Sequence, residues 1–230
     1  MKKLVRVALI GARGRMGQTI VDLAKSDPTI SVSAQCDLGD AIEPAMKNCD
    51  VAIDFSNAGA IDDVCSVAAK HRKALVIGTT GHLPEQRQLI ENTAKSLPIV
   101  FASNFSVGVN ALFALTRRAA EILGEDFAPQ ITEIHHTQKK DAPSGTAKTL
   151  GEILKQTGKS NVPIQSIREG DVVGEHTVIF VGPEERLELT HCAGSREIFA
   201  RGALRAAEWI VGKPAGLYSM QDVLGIVPAK

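Results

Sequence analysis

The chain has 230 residues, enough for one large domain or two modest ones, each with its own core. Hydrophobic residues make up 44% and charged residues 23%, and 26 basic side chains balance 26 acidic ones. A net charge of zero argues against a general nucleic-acid or membrane surface, while leaving room for a local basic pocket. No run approaches eighteen apolar residues, and the opening "MKKLVRVALIG" is too short and too charged for a signal peptide. Cys36, Cys49, Cys65 and Cys192 show no metal-type spacing, so they are expected as reduced thiols of a cytoplasmic protein.

From the N-terminus, Leu4 to Ile10 reads as a buried strand, and Met16 to Lys25 as a helix with Ile20, Leu23 and Ala24 inward. Ile30 to Cys36 is a second strand, and Val51 to Asp54 a third, followed by a helix near Ile61, Val64 and Ala68. Ala74 to Ile77 is a fourth. Pro84 starts a helix carrying Leu89, Ile90 and Ala94, and Ile99 to Phe101 is a fifth strand. Strands alternating with helices imply crossovers, hence a parallel sheet covered on both faces. The pattern then changes. A long helix from about Asn110 to Leu123 is expected to bury Ala111, Leu112, Leu115, Ala119 and Ile122. Beyond it, Thr177 to Phe180 and Leu187 to His191 alternate with a period of two, which suggests an α+β domain with a sheet open on one face. A last helix near Phe199 to Val211 leads to an apolar tail, Leu217 to Val227. The fold class expected is α/β, with an N-terminal Rossmann-type domain and a C-terminal α+β domain built on a mixed open sheet.

Between the first strand and first helix lies "GARGRMG", with Gly11, Gly14 and Gly17. This is a variant of the dinucleotide fingerprint: a tight turn, backbone bare enough for a pyrophosphate, and a helix N-terminus supplying partial positive charge. The second strand ends in Asp37, placed to accept the ribose hydroxyls of an adenosine, or else an ordinary turn acid. The later strand ends, "IDFSNAG", "IGTTGH" and "FASNFSVG", are small, polar and glycine-marked, which suits a cofactor lying across the carboxyl ends of the strands.

The stretch "EIHHTQKKDAPSGTAKT", residues 133 to 149, gathers His135, His136, Lys139 and Lys140 just before a helix start. Ser144, Gly145 and Thr146 would offer backbone amides and hydroxyls to an anion, with the histidines and Lys139 approaching from the preceding loop. Such a group is a carboxylate receptor with a proton donor inside it. Blander readings are a solvated pair of histidines and a plain helix cap at Ser144. A metal site drawing on His176 and His191 lacks a recognised ligand spacing, so no metal is expected.

The same stretch resembles the signature of the dihydrodipicolinate reductases of lysine and diaminopimelate biosynthesis. "GARGRMG", "DFS", "VIGTTG", "NFSVGVN", "GEHTVIF" and "FARGALRAAEW" resemble that family's other blocks in the same order, over nearly the whole chain. The resemblance implies NAD(P)H-dependent reduction of 4-hydroxy-tetrahydrodipicolinate, a small cyclic dicarboxylate, by a cytoplasmic homotetramer with no nucleic-acid or membrane partner. It implies a dinucleotide-binding domain, 1–106 joined by 203–230, and a substrate and oligomerisation domain, 107–202. His135 falls where the family has its proton donor and Lys139 where it has a second catalytic lysine. His136, Lys139, Ser144, Gly145, Thr146 and Thr80 fall at substrate contacts. Gly11, Ala12, Arg13, Gly14, Arg15, Met16, Asp37, Phe55, Gly78, Thr79, Thr80, Ala102, Ser103, Asn104 and Phe105 fall at cofactor contacts. Two departures are notable: the segment before "GEHTVIF" is short, and Leu38 and Gly39 stand where NADPH-preferring members often place an arginine. That favours NADH, with NADPH still accepted. A semialdehyde dehydrogenase would need a nucleophilic cysteine at the trough, and a non-catalytic NAD sensor would need no proton donor.

Overall fold

In the computed structural model, which describes residues 4–226, the apolar runs of the N-terminal half become strands and the periodic stretches between them become helices. In order these are β1 (Val5–Ile10), α1 (Arg15–Ala24), β2 (Ile30–Cys36), α2 (Ile42–Lys47), β3 (Val51–Asp54), α3 (Ile61–His71), β4 (Ala74–Ile77), α4 (Pro84–Ala94) and β5 (Pro98–Phe101). Then come α5 (Val107–Leu123), β6 (Ala128–His135), α6 (Gly145–Gln156), β7 (Ile164–Arg168), β8 (Glu175–Val181) and β9 (Arg186–Cys192). The chain closes with α7 (Glu197–Ile210), β10 (Gly216–Tyr218) and α8 (Met220–Leu224). Two units result, and each is described by itself.

The first unit takes in the chain up to Ser106 and again Glu197–Ile226. Its sheet is six-stranded and parallel, in the order β10-β5-β4-β3-β1-β2. Alternation along β1 explains why both faces need cover. Val5, Val7 and Leu9 pack with Ile20 of α1 and Ala203, Ala207 and Ile210 of α7. Ala8 and Ile10 face the other way, onto Met46, Val64, Ala68 and Ile90 of α2, α3 and α4. With both faces buried, β3 and β4 can be apolar at nearly every position, as parallel strands usually are. The expected return of the chain at residue 203 begins earlier, because α7 is one helix from Glu197 and Ala200 is already in this core. Val227 of the expected tail, and 227–230 of the expected segment, lie outside the described residues.

The second unit, Val107–Arg196, carries a mixed sheet in the order β7-β6-β8-β9. β6 runs parallel to β7 and antiparallel to β8, and β9 is antiparallel to β8. Helices α5 and α6 cover one face, where Leu112, Phe113, Leu150 and Leu154 meet Ile131, Val178 and Phe180. On the opposite face Thr177 and Ile179 are only half-buried and Val181 is exposed, so the sheet is open there. One expectation fails. The inward stripe of α5 is Val109, Leu112, Phe113, Thr116 and Ala120, while Leu115 and Ile122 are 55% and 67% exposed. At 3.6 residues per turn the true stripe lies about a third of a turn from the expected one.

Among the described residues no helix is long and apolar enough to cross a membrane. All four cysteines are free thiols; Cys36, Cys49 and Cys65 are buried and Cys192 is exposed.

Candidate active site

The glycine loop follows β1 and opens α1. Gly11 takes a φ of +83°, and a β-carbon there would sit 2.4 Å from the Phe55 carbonyl oxygen. A β-carbon at Gly17 would lie 2.2 Å from the carbonyl oxygen of Gly11, so the first turn of α1 folds directly onto the loop. The loop amides are largely committed. Gly11 and Ala12 donate to the Cys36 carbonyl, Gly14 to that of Gly11, and Arg13 to the Asp37 carboxylate at 2.7 Å. The N-cap of α1 is Gly14, which has no side chain to cap the helix. The first-turn amides, from Arg15 and Met16 onward, are therefore the groups best placed to meet a phosphate.

Asp37 follows the last residue of β2, with each carboxylate oxygen taking one backbone N–H, from Leu38 at 2.9 Å and from Arg13. These hydrogen bonds, Leu38 first, hold its carboxyl below the usual range, so it is ionised. Each oxygen keeps a second lone pair for a hydroxyl. The Arg13 guanidinium, 78% exposed, stands 3.8 Å from Asp40. At the ends of β3, β4 and β5 the other expected cofactor residues gather. Gly78 and Thr79 donate to the Asp54 carbonyl, and the Phe55 ring covers Gly78 and packs on Phe105 at 5.6 Å. Asn104 accepts from the Ser106 amide at 2.8 Å, Phe105 is buried, Ala102 is half-buried, and Thr80 and Ser103 are exposed. A cavity of about 520 Å³, lined by Leu4, Val5, Asp50, Arg205, Trp209 and Val223, is at the opposite, N-terminal ends of the strands and touches none of these residues.

In the second unit, sheet register builds the chemistry. A period of two puts Glu133 and His135 of β6 on one face. The antiparallel register sets His176 of β8 beside Glu133, and the parallel register sets Arg168 of β7 beside His135. His191 of β9 continues the row beyond His176. Within it, Nδ1 of His135 pairs with Oε2 of Glu133. Oε1 of Glu133 accepts from Arg168 Nη2 at 2.9 Å and from the Ser144 amide at 3.3 Å. The His176 ring stands edge-on to that of His135, with centroids 5.0 Å apart.

The electrostatics follow from this packing. Burial works to raise the Glu133 carboxyl, but hydrogen bonds from Arg168, Ser166 and His135 outweigh it and hold the group below the usual range. Burial lowers His135, with Glu133 opposing and the charges of Lys139 and Arg168 adding to the fall. Burial pushes His176 down to about 4, so it stays neutral. Lys139 extends its ammonium to within 2.8 Å of Asp141, and His136, beyond the end of β6, is half-buried.

Gly145 and Thr146 open α6. Ser144 is 2% exposed, its amide is given to Glu133, and its hydroxyl accepts from the Ala147 amide at 3.2 Å and pairs with His176 Nε2 at 3.0 Å. It is the helix cap that the blander reading offered, and a brace for the histidine row. Glu133, Arg168 and His176 are the site residues absent from the sequence-based set. The period of two could have found Glu133, whereas Arg168 arrives only through pairing of β7, which the sequence did not announce. Among the described residues Glu133, His135 and His176 are the one group close enough to share a cation. The Glu133 carboxylate is already matched by Arg168, and Lys139 is paired with Asp141.

Two family models divide the chain between them. Residues 5–105 match the N-terminal part of dihydrodipicolinate reductase and residues 108–224 its C-terminal part. A protein of Akkermansia muciniphila named 4-hydroxy-tetrahydrodipicolinate reductase is 47% identical over 97% of this chain and 99% of its own length. A relative of the same name from Geobacter metallireducens is 40% identical over 97% of this chain and all of its own. Among solved structures, a dipicolinate-bound dihydrodipicolinate reductase from Paenisporosarcina superposes with a TM-score of 0.81 at 22% identity, covering 97% of this chain and 100% of that one.

Proposed function

Because the chain belongs to the dihydrodipicolinate reductase family, we propose that it reduces 4-hydroxy-tetrahydrodipicolinate to tetrahydrodipicolinate with NADH or NADPH, His135 delivering the proton. The observation that carries this reading is the buried His135–Glu133–Arg168 row at the foot of an anion-binding helix start. The cofactor's fit is supported by the uncapped first turn of α1, the close approach of Gly11 and Gly17, and the ionised Asp37. A bound reduced nicotinamide supplies the hydride.

The chain's own residues do the rest. The positive end of α6, at Gly145 and Thr146, holds a substrate carboxylate, with His136 as a further contact. Lys139 is close enough to His135 to be felt by it, and its charge stabilises negative charge that develops as the ring is reduced. Once the 4-hydroxyl and a hydrogen of the neighbouring carbon have left as water, the carbon that bore the hydroxyl takes the hydride. His135 gives a proton from Nε2 to the carbon next to it, so that the net change is gain of hydride and proton and loss of one water. Ionised Asp37 repels a 2′-phosphate, which carries about −1.5 to −2 charges. Leu38, 88% exposed, cannot compensate, whereas Arg13 can once it leaves Asp40. The balance is a preference for NADH of roughly tenfold, about 1.4 kcal/mol. The reading also takes the enzyme to be a cytoplasmic homotetramer, as the family resemblance implies.

A planar dicarboxylate tests the site. Pyridine-2,6-dicarboxylate is expected to inhibit competitively against the substrate and not against NADH. Competition with NADH alone would place the carboxylate receptor elsewhere.

A further inference from the structure

The donor reading leaves one buried carboxylate without a task. Glu133 is 0% exposed, and a charge so placed needs a function or full compensation. We propose that Glu133 is a positioning residue: held by Arg168 and the Ser144 amide, it orients the His135 ring and fixes Nε2 as the nitrogen that carries the transferable proton. This rests on His135 being the proton donor.

The geometry constrains the ring from three sides. An ionised carboxylate can only accept, so Nδ1 of His135 must keep its hydrogen in the neutral and the charged ring alike. The mobile proton therefore comes and goes at Nε2. On that side is Gly174, where a β-carbon would lie 3.0 Å from Nε2, so the bare backbone leaves the nitrogen uncrowded. The edge-on His176 ring closes a further side. A flipped imidazole would present a C–H to Glu133 and leave a buried carboxylate oxygen short of a donor, which is unfavourable.

Glu133 is itself held in place. Its second oxygen takes Arg168 Nη2 at 2.9 Å and the Ser144 amide at 3.3 Å. Arg168 is braced in turn by the carbonyls of Ile167 at 2.7 Å, Asp141 at 2.5 Å and Lys139 at 3.3 Å. The last two carbonyls belong to the loop that carries the catalytic lysine. One carboxylate thus ties the donor on β6, the guanidinium on β7 and the start of α6 into a single frame. The arrangement matches, in role, the buried acid that orients histidine in hydrolytic triads.

The test is a double-mutant cycle on the full-length enzyme with Glu133→Gln and His135→Ala. If Glu133 acts through the histidine, E133Q lowers kcat about a hundredfold in the wild-type background, with KM changed by less than about threefold. In the H135A background the same change then costs less than about threefold. An equal loss in both backgrounds would show a merely structural role and overturn the proposal. Full turnover by H135A alone would instead sink the donor assignment, so the two failures are distinguishable. Nitrogen-15 spectra of histidine-labelled wild type give a check that needs no variant. The neutral His135 ring is expected with Nδ1 protonated and Nε2 bare, and the opposite tautomer would refute the positioning role even if E133Q failed to fold.

Discussion

His135 is a weakened base in the free protein, and the proposed reaction asks it to act as an acid. Burial keeps it below the ordinary histidine range, against the pull of Glu133 and with the push of Lys139 and Arg168, while His176 stays neutral beside it. A substrate bearing two carboxylates reverses that balance, because negative charge near the ring favours the imidazolium. The protonated form is the active one, so the rate falls as pH rises through the apparent pKa. The kcat/KM profile reports the free enzyme and the kcat profile the complex. The falling limb of kcat is therefore expected at higher pH than that of kcat/KM. Coincident limbs, or the reverse order, would mean that the carboxylates bind away from His135. At this scale the sequence singled out His135 and Lys139 as candidates, because two histidines and two lysines stand just before a helix start. It offered the cap at Ser144 as an alternative but did not reveal the pairing of its hydroxyl with His176, which depends on where β8 lies.

Helix α6 shows how one element serves stability and chemistry together. Its N-cap hydroxyl satisfies the Ala147 amide and His176 at once, while its first turn faces the proposed carboxylate. Ser144→Ala removes a cap, for about 1 kcal/mol, and leaves a buried imidazole nitrogen unpartnered, for about 1–3 more. At 2–4 °C per kcal/mol for a protein of this size, thermal unfolding should shift down by roughly 4 to 16 °C. A melting curve within about 1 °C of wild type would show that the cap carries no such load. Elements were legible in proportion to their regularity. β1 and β3 to β5 were plain because they are buried on both faces, and α1 because its inward residues repeat cleanly. The six-residue α2 and the half-buried β7 gave too little pattern. In α5 the small residues Ala111 and Ala119 blurred the stripe, and the phase was read on the wrong side.

At the scale of the whole molecule, the chain leaves the parallel sheet at Ser106, builds a second sheet, and returns at Glu197 to finish the first with α7, β10 and α8. The alternation of strands and helices made the first layer readable from sequence, and the switch to a period of two marked the second. The point of return was misplaced because α7 looks the same whichever core it joins. The residues proposed for the cofactor belong to the first unit and the proposed acid, His135, to the second. The central claim is tested most directly by following substrate-dependent loss of nicotinamide absorbance with freshly generated 4-hydroxy-tetrahydrodipicolinate. Wild type should oxidise NADH, and NADPH about tenfold less efficiently, only when that substrate is present. His135→Ala and Lys139→Ala should each lower kcat by about two to four orders of magnitude with NADH binding unchanged. Near-full turnover by His135→Ala, or no oxidation by the wild type, would contradict the account.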